Sequence, residues 1–240
     1  ELIHPLLEND LGASWRSSVR PTPLAANSVF SINAPPATRQ IRHTPQQPRS
    51  GETVLITVKV TDLDGVSFVK MSYQLVDPGG YIRKTDTAYE TSWIETPMLD
   101  DGTNGDELAG DDIYTVAMQA TVQTHRRLVR YRIAVKDTPG NAVQIPYADD
   151  ENPNFAYFVY DGVPAWTGTK RPRVTPQQDF PSEVMASSQP VYHLIANVND
   201  VSKSQYDRSS DGVRMWGTLI YDNRVYDHIQ YYNRGEASTY

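Results

Sequence analysis

The chain has 240 residues, no cysteine and a formal net charge of −7. Hydrophobic residues make up 39% and charged residues 21%, which predicts a packed core and excludes an ordinary disordered protein. Without cysteine there is no disulfide scaffold, thiolate zinc site or cysteine nucleophile. The acidic balance argues against a general nucleic-acid binder and favours a cation as partner.

The ends of the chain suggest a piece of a longer protein. It begins with Glu1 rather than Met and stops at Tyr240, within sequence that reads as ordered. The sequence contains no run of about 18 apolar residues, so no transmembrane segment is predicted, and the first ten residues lack the basic-then-apolar order of a signal peptide. We therefore expect either a cytosolic protein or a secreted one whose leader is not in this chain.

Residues 1–50 hold seven of the 17 prolines. Proline removes backbone donors and blocks helices, so this part is predicted to be an extended lead-in with little regular structure. From Thr53 the pattern changes to β-branched residues that alternate with polar ones, which is typical of strands. Seven short strands are predicted in residues 51–162, near 54–61, 69–75, 93–98, 113–119, 129–136, 142–145 and 155–160.

The strand pattern predicts an all-β fold with an immunoglobulin-like or fibronectin-III-like β-sandwich over residues 51–162, since no βαβ alternation is present. Residues 163–189 are rich in proline and predict a stiff linker or a strap. Residues 190–240 predict the start of a second β-rich domain, with a strand at 191–198 and a hairpin at 219–232 that turns at Asp222-Asn223.

Six carboxylates lie within the 13 residues from Asp100 to Asp112. They repel one another unless water or a cation screens them, and the glycines among them let backbone carbonyls turn inward. An oxygen-rich loop of this kind suits Ca²⁺, although its spacing is not that of an EF-hand. The alternative is a solvated acidic loop. The predicted metal ligands are Asp100, Asp101, Asp106, Asp111 and Asp112.

Other enzyme signatures are absent from the sequence. The five histidines include no close ligand pair, and no G-x-S-x-G, Walker A or G-x-G-x-x-G motif occurs. In RGEAST at 234–239, Arg234 can bind a phosphate through two hydrogen bonds, with Gly235 and Ser238 lining the phosphate site. The alternative is a plain turn that leads into the next strand. His193 and His228, in predicted strands, are interpreted as core or interface residues, and no catalytic residue is predicted.

The order of motifs resembles the CotH kinase-like family, the atypical protein kinases named after spore coat protein H. The resemblance is carried by PVYHLIANVND at 190–200 and by WGTLIYDNRVYDHIQYYNRGEASTY at 216–240. Tyr232 stands where that family commonly has arginine, and Ala237-Ser238 where it usually has two serines. The loop MLDDGTNGDELAGDDIYT at 98–115 resembles that of the accessory domain ahead of such kinases, and residues 12–30 resemble the end of a lamin-tail-like domain.

The resemblance implies a secreted or cell-surface bacterial parent that uses ATP and Mg²⁺ to phosphorylate Ser or Thr of extracellular or coat proteins. The family's catalytic aspartates would follow Tyr240, so this chain alone is expected to be inactive as a kinase. The leading hypothesis is a non-catalytic accessory module, with the rest of the kinase domain and surface or coat proteins as partners. The alternatives are an adhesion or matrix module with no nucleotide role and a glycan-binding sandwich.

Overall fold

The computed structural model describes residues 23–26, 30, 33–169, 174–185, 190–206 and 212–232. The predicted all-β class is confirmed, because strands dominate these residues and the helices are short. The first eight strands form the sandwich. In chain order they are β1 (Ala37–Thr44), β2 (Val54–Thr61), β3 (Val66–Val76), β4 (Ile94–Met98), β5 (Ile113–Met118), β6 (Leu128–Asp137), β7 (Ala142–Ile145) and β8 (Phe155–Phe158).

The sandwich consists of two antiparallel sheets. One has the order β1-β2-β5, and the other has the order β4-β3-β6-β7. β8 pairs with the first half of β6, and β7 pairs with the second half. Helix α1 (Thr87–Thr91) lies between β3 and β4, and a single 3₁₀ turn (Ala120–Val122) lies between β5 and β6. The strand β1 lies within the proline-rich lead-in, where the sequence predicts little regular structure.

The core lies between the two sheets, where alternate residues of each strand meet. In β2, for example, Val54, Ile56, Val58 and Val60 are fully buried, as the period-two pattern predicts. Complete burial of such side chains stabilises the fold by about 1.5–3 kcal/mol each. The facing residues of the other sheet are Val69, Met71, Val129, Tyr131, Ile133, Val135, Val143, Ile145 and Tyr157.

The predicted linker contains small regular elements. β9 (Trp166–Gly168) and β10 (Gln178–Phe180) form a two-stranded ribbon, followed by the single turn α2 (Ser182–Met185). The Trp166 and Phe180 rings stack with centroids 5.2 Å apart. Proline density indicated a stiff segment but gave no signal for this pairing.

The last three strands form a separate antiparallel sheet, called the hairpin sheet below. It has the order β11 (His193–Ala196), β12 (Met215–Tyr221) and β13 (Arg224–Tyr231). Asp222 and Asn223 turn the hairpin as predicted, with φ of 49° and 59°. Helix α3 (Val198–Tyr206), which the sequence pattern does not predict, follows β11 and begins where the Val198 N–H donates to the Gly79 carbonyl at 2.9 Å.

The hairpin sheet packs against the outer face of the β3–β6 sheet. Val76, Leu128 and Phe158 of the sandwich meet Ile195 and Ile220 of the hairpin sheet in a second buried cluster. This contact covers the first half of β6 on the side that faces away from the sandwich core. Side chains there that point outward from the sandwich are consequently buried between the two parts, and we call this contact the junction.

Candidate functional site

The acidic loop, residues 99–112, joins β4 to β5 and bends through several residues with positive φ. At Gly105, φ is 96°, and an added Cβ would lie 2.5 Å from a Leu55 methyl carbon. Both facts require glycine there. The loop is thus folded tightly against β2, which brings its carboxylates close together.

Three of the five predicted metal ligands converge. One carboxylate oxygen from each of Asp100, Asp106 and Asp111 lies within 4.8 Å of the others. Asp106 is buried, whereas Asp100 and Asp111 are half-buried. The remaining two make other contacts. Asp101 accepts hydrogen bonds from the N–H and hydroxyl of Thr103, and the backbone N–H of Asp112 donates to Asp100.

Backbone amides hold the Asp100 and Asp106 carboxylates in place. Asp100 accepts from the Gly110 N–H at 2.6 Å and from the Asp112 N–H at 2.9 Å. Asp106 accepts from the Gly102 N–H at 2.6 Å and also binds the Thr115 hydroxyl at 3.3 Å. These bonds orient the oxygens and offset part of their repulsion, so the loop can order itself in two ways, by amide donors alone or by amides together with a hard cation.

The predicted phosphate-binding residues Arg234, Gly235 and Ser238 lie outside the described residues. The prediction that they bind a cofactor therefore remains a prediction.

A buried ion pair at the junction was not predicted from the sequence. Arg130 of β6 is fully buried and donates two hydrogen bonds to Asp227 of β13, at 2.7 and 3.0 Å. Its Nη1 donates to the Gln74 side chain and to the Ile82 carbonyl, each at 2.9 Å. The guanidinium also lies 5.1 Å from the centroid of the Tyr81 ring. Each of the three guanidinium nitrogens thus has a partner, which a buried charge requires.

Asp227 is the centre of the junction network. In addition to Arg130, it accepts from the Thr218 hydroxyl at 2.5 Å, the Asn154 amide at 3.1 Å and the His228 N–H at 2.8 Å. Burial raises the pKa of this carboxyl, but the Arg130 charge and hydrogen bonds outweigh burial and lower the pKa to about 2. Asp227 is therefore ionised at neutral pH.

His228 lies beside this pair with its side chain 1% exposed. Burial lowers its pKa to about 4, Asp227 opposes the shift, and Arg130 adds to it. The neutral ring fits its surroundings, since Nε2 lies 2.8 Å from the Asn154 carbonyl oxygen and Nδ1 lies 3.4 Å from the Tyr81 hydroxyl. A buried neutral histidine between an acceptor and a hydroxyl supports the interpretation of His228 as an interface residue.

A second ion pair crosses the junction at its edge. Arg83, in the connection between β3 and β4, lies 2.9 Å from Asp200 of α3. The Arg83 side chain is 38% exposed, so solvent screens the attraction between these two charges more than it does in the buried pair. His193, the other histidine read as a core or interface residue, also lies at the junction, where its ring contacts those of Phe158 and Tyr160.

Comparison with known proteins gives no match to this sequence, either among protein-family models or among curated proteins. Within the described residues, no helix is both long and apolar enough to cross a bilayer.

Proposed function

We propose that this chain is a non-catalytic positioning module, in which the sandwich holds and orients the hairpin sheet. The observation that carries the proposal is the buried pairing of Arg130 in the sandwich with Asp227 in the hairpin sheet. A loosely tethered pair of domains has a wet, sparse contact, and burial of two charges in it would destabilise it. A fully hydrogen-bonded pair is stable only when the two parts keep one geometry.

The directional nature of the pair explains why it orients as well as attaches. A planar guanidinium binds a carboxylate through two parallel hydrogen bonds, which fix an angle as well as a distance. Apolar contact among Val76, Leu128 and Ile220 supplies non-directional attraction around it. The two contributions together favour one fixed orientation of the hairpin sheet on the sandwich over a flexible connection.

We further propose that the hairpin sheet is the beginning of a CotH kinase-like domain. Its outer face supports this, because Leu194, Leu219 and Tyr226 lie side by side across the three strands, and Leu194 and Tyr226 are 46% and 45% exposed. An apolar face of this kind suits a sheet on which the rest of a domain packs. The proposed parent is a secreted or surface kinase that acts on Ser or Thr of extracellular or coat proteins with ATP and Mg²⁺.

The immunoglobulin-like or fibronectin-III-like assignment of the sandwich belongs to the same proposal. It is supported by the strand orders β1-β2-β5 and β4-β3-β6-β7, which divide seven consecutive strands between two antiparallel sheets. We also propose that Asp100, Asp106 and Asp111 bind Ca²⁺ and thereby stiffen the connection between β4 and β5.

The positioning role is tested by the distance between the two parts in solution. Because the chain has no native cysteine, Leu63→Cys and Arg224→Cys give one exposed spin-label site in the sandwich and one in the hairpin sheet. We expect a single narrow distance distribution that broadens when Arg130→Met is added. A broad distance distribution in the otherwise unchanged protein would refute the proposed fixed orientation.

The kinase assignment has its own test. A chain that continues past Tyr240 is expected to bind ATP saturably and only with Mg²⁺. A narrow spin-label distance without any nucleotide binding would instead identify an adhesion or matrix module.

A further inference from the structure

A cleft of about 340 Å³ lies at the edge of the junction, apart from the Arg130 pair. The sandwich contributes Gly79, Arg126 and Phe158, and β11 and α3 contribute mainly apolar side chains, among them Leu194 and Val201. Ligand pockets in proteins are commonly about 300–1,000 Å³, mostly apolar with a few polar groups, and frequent where two parts of a protein meet. This cleft has that composition, and none of the described residues that line it carries a carboxylate.

Among the described residues, Arg126 is the one cation in the lining of this cleft. Within the part of the chain that the structure describes, its guanidinium has no carboxylate and no hydrogen-bond partner. The next residue provides the contrast, since Arg127 is paired with Asp77 at 2.7 Å. Arg126 therefore carries an uncompensated positive charge at an apolar cleft.

A further donor adjoins Arg126 and has no partner among the described residues. His193 lines the cleft and touches the Tyr160 ring at a centroid distance of 4.5 Å, but neither of its ring nitrogens makes a hydrogen bond there. Tyr160 itself lines the adjoining cleft, and its hydroxyl oxygen is buried. Burial lowers the pKa of His193, as do the charges of Arg126 and His125, so the local potential is positive.

We propose that this cleft binds a small organic anion, a carboxylate or a phosphate carried on a flat apolar body. The Arg126 guanidinium would bind the anionic oxygens through charge-assisted hydrogen bonds, and the His193 N–H would donate to the same group. The apolar body would lie against Phe158 and Val201. Such a ligand satisfies in one step the two polar groups of this cleft that the described residues leave unpaired.

The neighbouring charges define where the anion lies. Asp222 lines an adjoining cleft on the other side of His193 and would repel it. Asp161 is already engaged, because it accepts from the Ser50 N–H at 2.7 Å and its second oxygen lies 3.7 Å from His125. The Arg126 side is thus the favourable one. This inference does not depend on the positioning role, since either can fail without the other.

The test is calorimetric titration of the whole 240-residue chain with phenyl phosphate, phenylacetate and the neutral phenylacetamide. Saturable binding is expected for at least one of the two anions, at least tenfold tighter than for phenylacetamide, since a hydrogen bond to a charged group contributes about 1.5–3 kcal/mol. Which anion binds more tightly distinguishes a carboxylate site from a phosphate site. No saturation by either anion, or equal binding of the amide, overturns the proposal.

Variants locate the site. Arg126→Gln is expected to weaken anion binding at least tenfold, whereas Arg214→Gln, which removes the same charge from an exposed residue bonded to Gln230, should change it less than twofold. His193→Phe keeps an aromatic ring against Phe158 and should weaken binding several-fold. Equal binding by Arg126→Gln and the unsubstituted protein would refute the site. Unfolding midpoints of all variants report whether each one is folded.

Discussion

Removal of the buried guanidinium is the sharpest test of the junction. In Arg130→Met, the apolar stem of the side chain is retained while both hydrogen bonds to Asp227 and those to Gln74 and Ile82 are lost. Asp227 keeps its hydroxyl and amide donors but loses its counter-charge while it remains buried. The expected consequence is detachment of the hairpin sheet from the sandwich.

The magnitude follows from the environment of the pair. The side chains of Arg130 and Asp227 are 0% and 5% exposed, so solvent screens little of the uncompensated charge. Removing one partner of such a pair costs about 3–5 kcal/mol. Since about 1.4 kcal/mol is a factor of ten, the opening equilibrium of the junction should rise roughly 100- to 5,000-fold.

Amide hydrogen exchange measured residue by residue is the suitable assay, because it reports local opening. The amides of β13 should exchange faster by that factor in Arg130→Met. Arg132→Met is the matched control: Arg132 lies two residues further along the same face of β6, is half-buried, and stacks on Trp93 at 3.6 Å. Loss of that contact should cost about 0.5–1 kcal/mol, less than about a tenfold change.

The double variant Arg130→Met with Asp227→Leu gives the decisive comparison. Replacement of both charges by apolar residues is often neutral for a buried pair, so most of the protection should return. Exchange in β13 that is the same for Arg130→Met and Arg132→Met would refute the reasoning. Simple addition of the two single effects in the double variant would refute it as well.

Three further outcomes are expected. Ca²⁺ at 100 times its dissociation constant should stabilise the protein by about 2.7 kcal/mol and so raise its thermal midpoint. Asp106→Asn should abolish this rise, whereas Asp101→Asn should preserve it. A midpoint that is the same with and without chelator would leave only the solvated loop. The free energy of unfolding should fall by up to about 3 kcal/mol between about pH 6.5 and pH 4, because the unfolded state binds a proton that buried His228, with its pKa lowered to about 4, does not bind. His228→Asn, which suits the φ of 55°, should flatten this pH dependence, and a pH dependence unchanged in urea titrations would contradict the assignment. Gly105→Ala should cost about 1–3 kcal/mol through positive φ and collision with Leu55, and an unchanged denaturation midpoint would contradict the close approach.

The local structure of the sandwich was predictable from the sequence. Period-two alternation gave the strands and their inward faces, because a residue's face on a strand depends only on its position along that strand. The hairpin turn at Asp222-Asn223 was predictable for a similar reason, since these residue types tolerate positive φ. The composition of the acidic loop also identified a group of carboxylates from which three converge.

The sequence did not reveal the elements that depend on distant partners. The strand β1 forms despite the nearby prolines because it pairs along β2. Helix α3 begins where Val198 meets Gly79, more than 100 residues earlier in the chain. Which three of the five aspartates meet depended on the path of the loop through Gly102, Gly105 and Gly110, which their spacing does not specify.

The arginines of β6 show most directly how packing between distant segments sets the burial of a side chain. Alternation with Val129, Tyr131, Ile133 and Val135 placed Arg130 and Arg132 on the same outward face, with nothing to distinguish them. The structure buries Arg130 completely and leaves Arg132 half-exposed, because the hairpin sheet covers only the first half of the strand. The partner, Asp227, is 97 residues away in sequence. A local pattern can assign a side chain to a face, but only packing between distant segments determines whether that face meets water or another sheet.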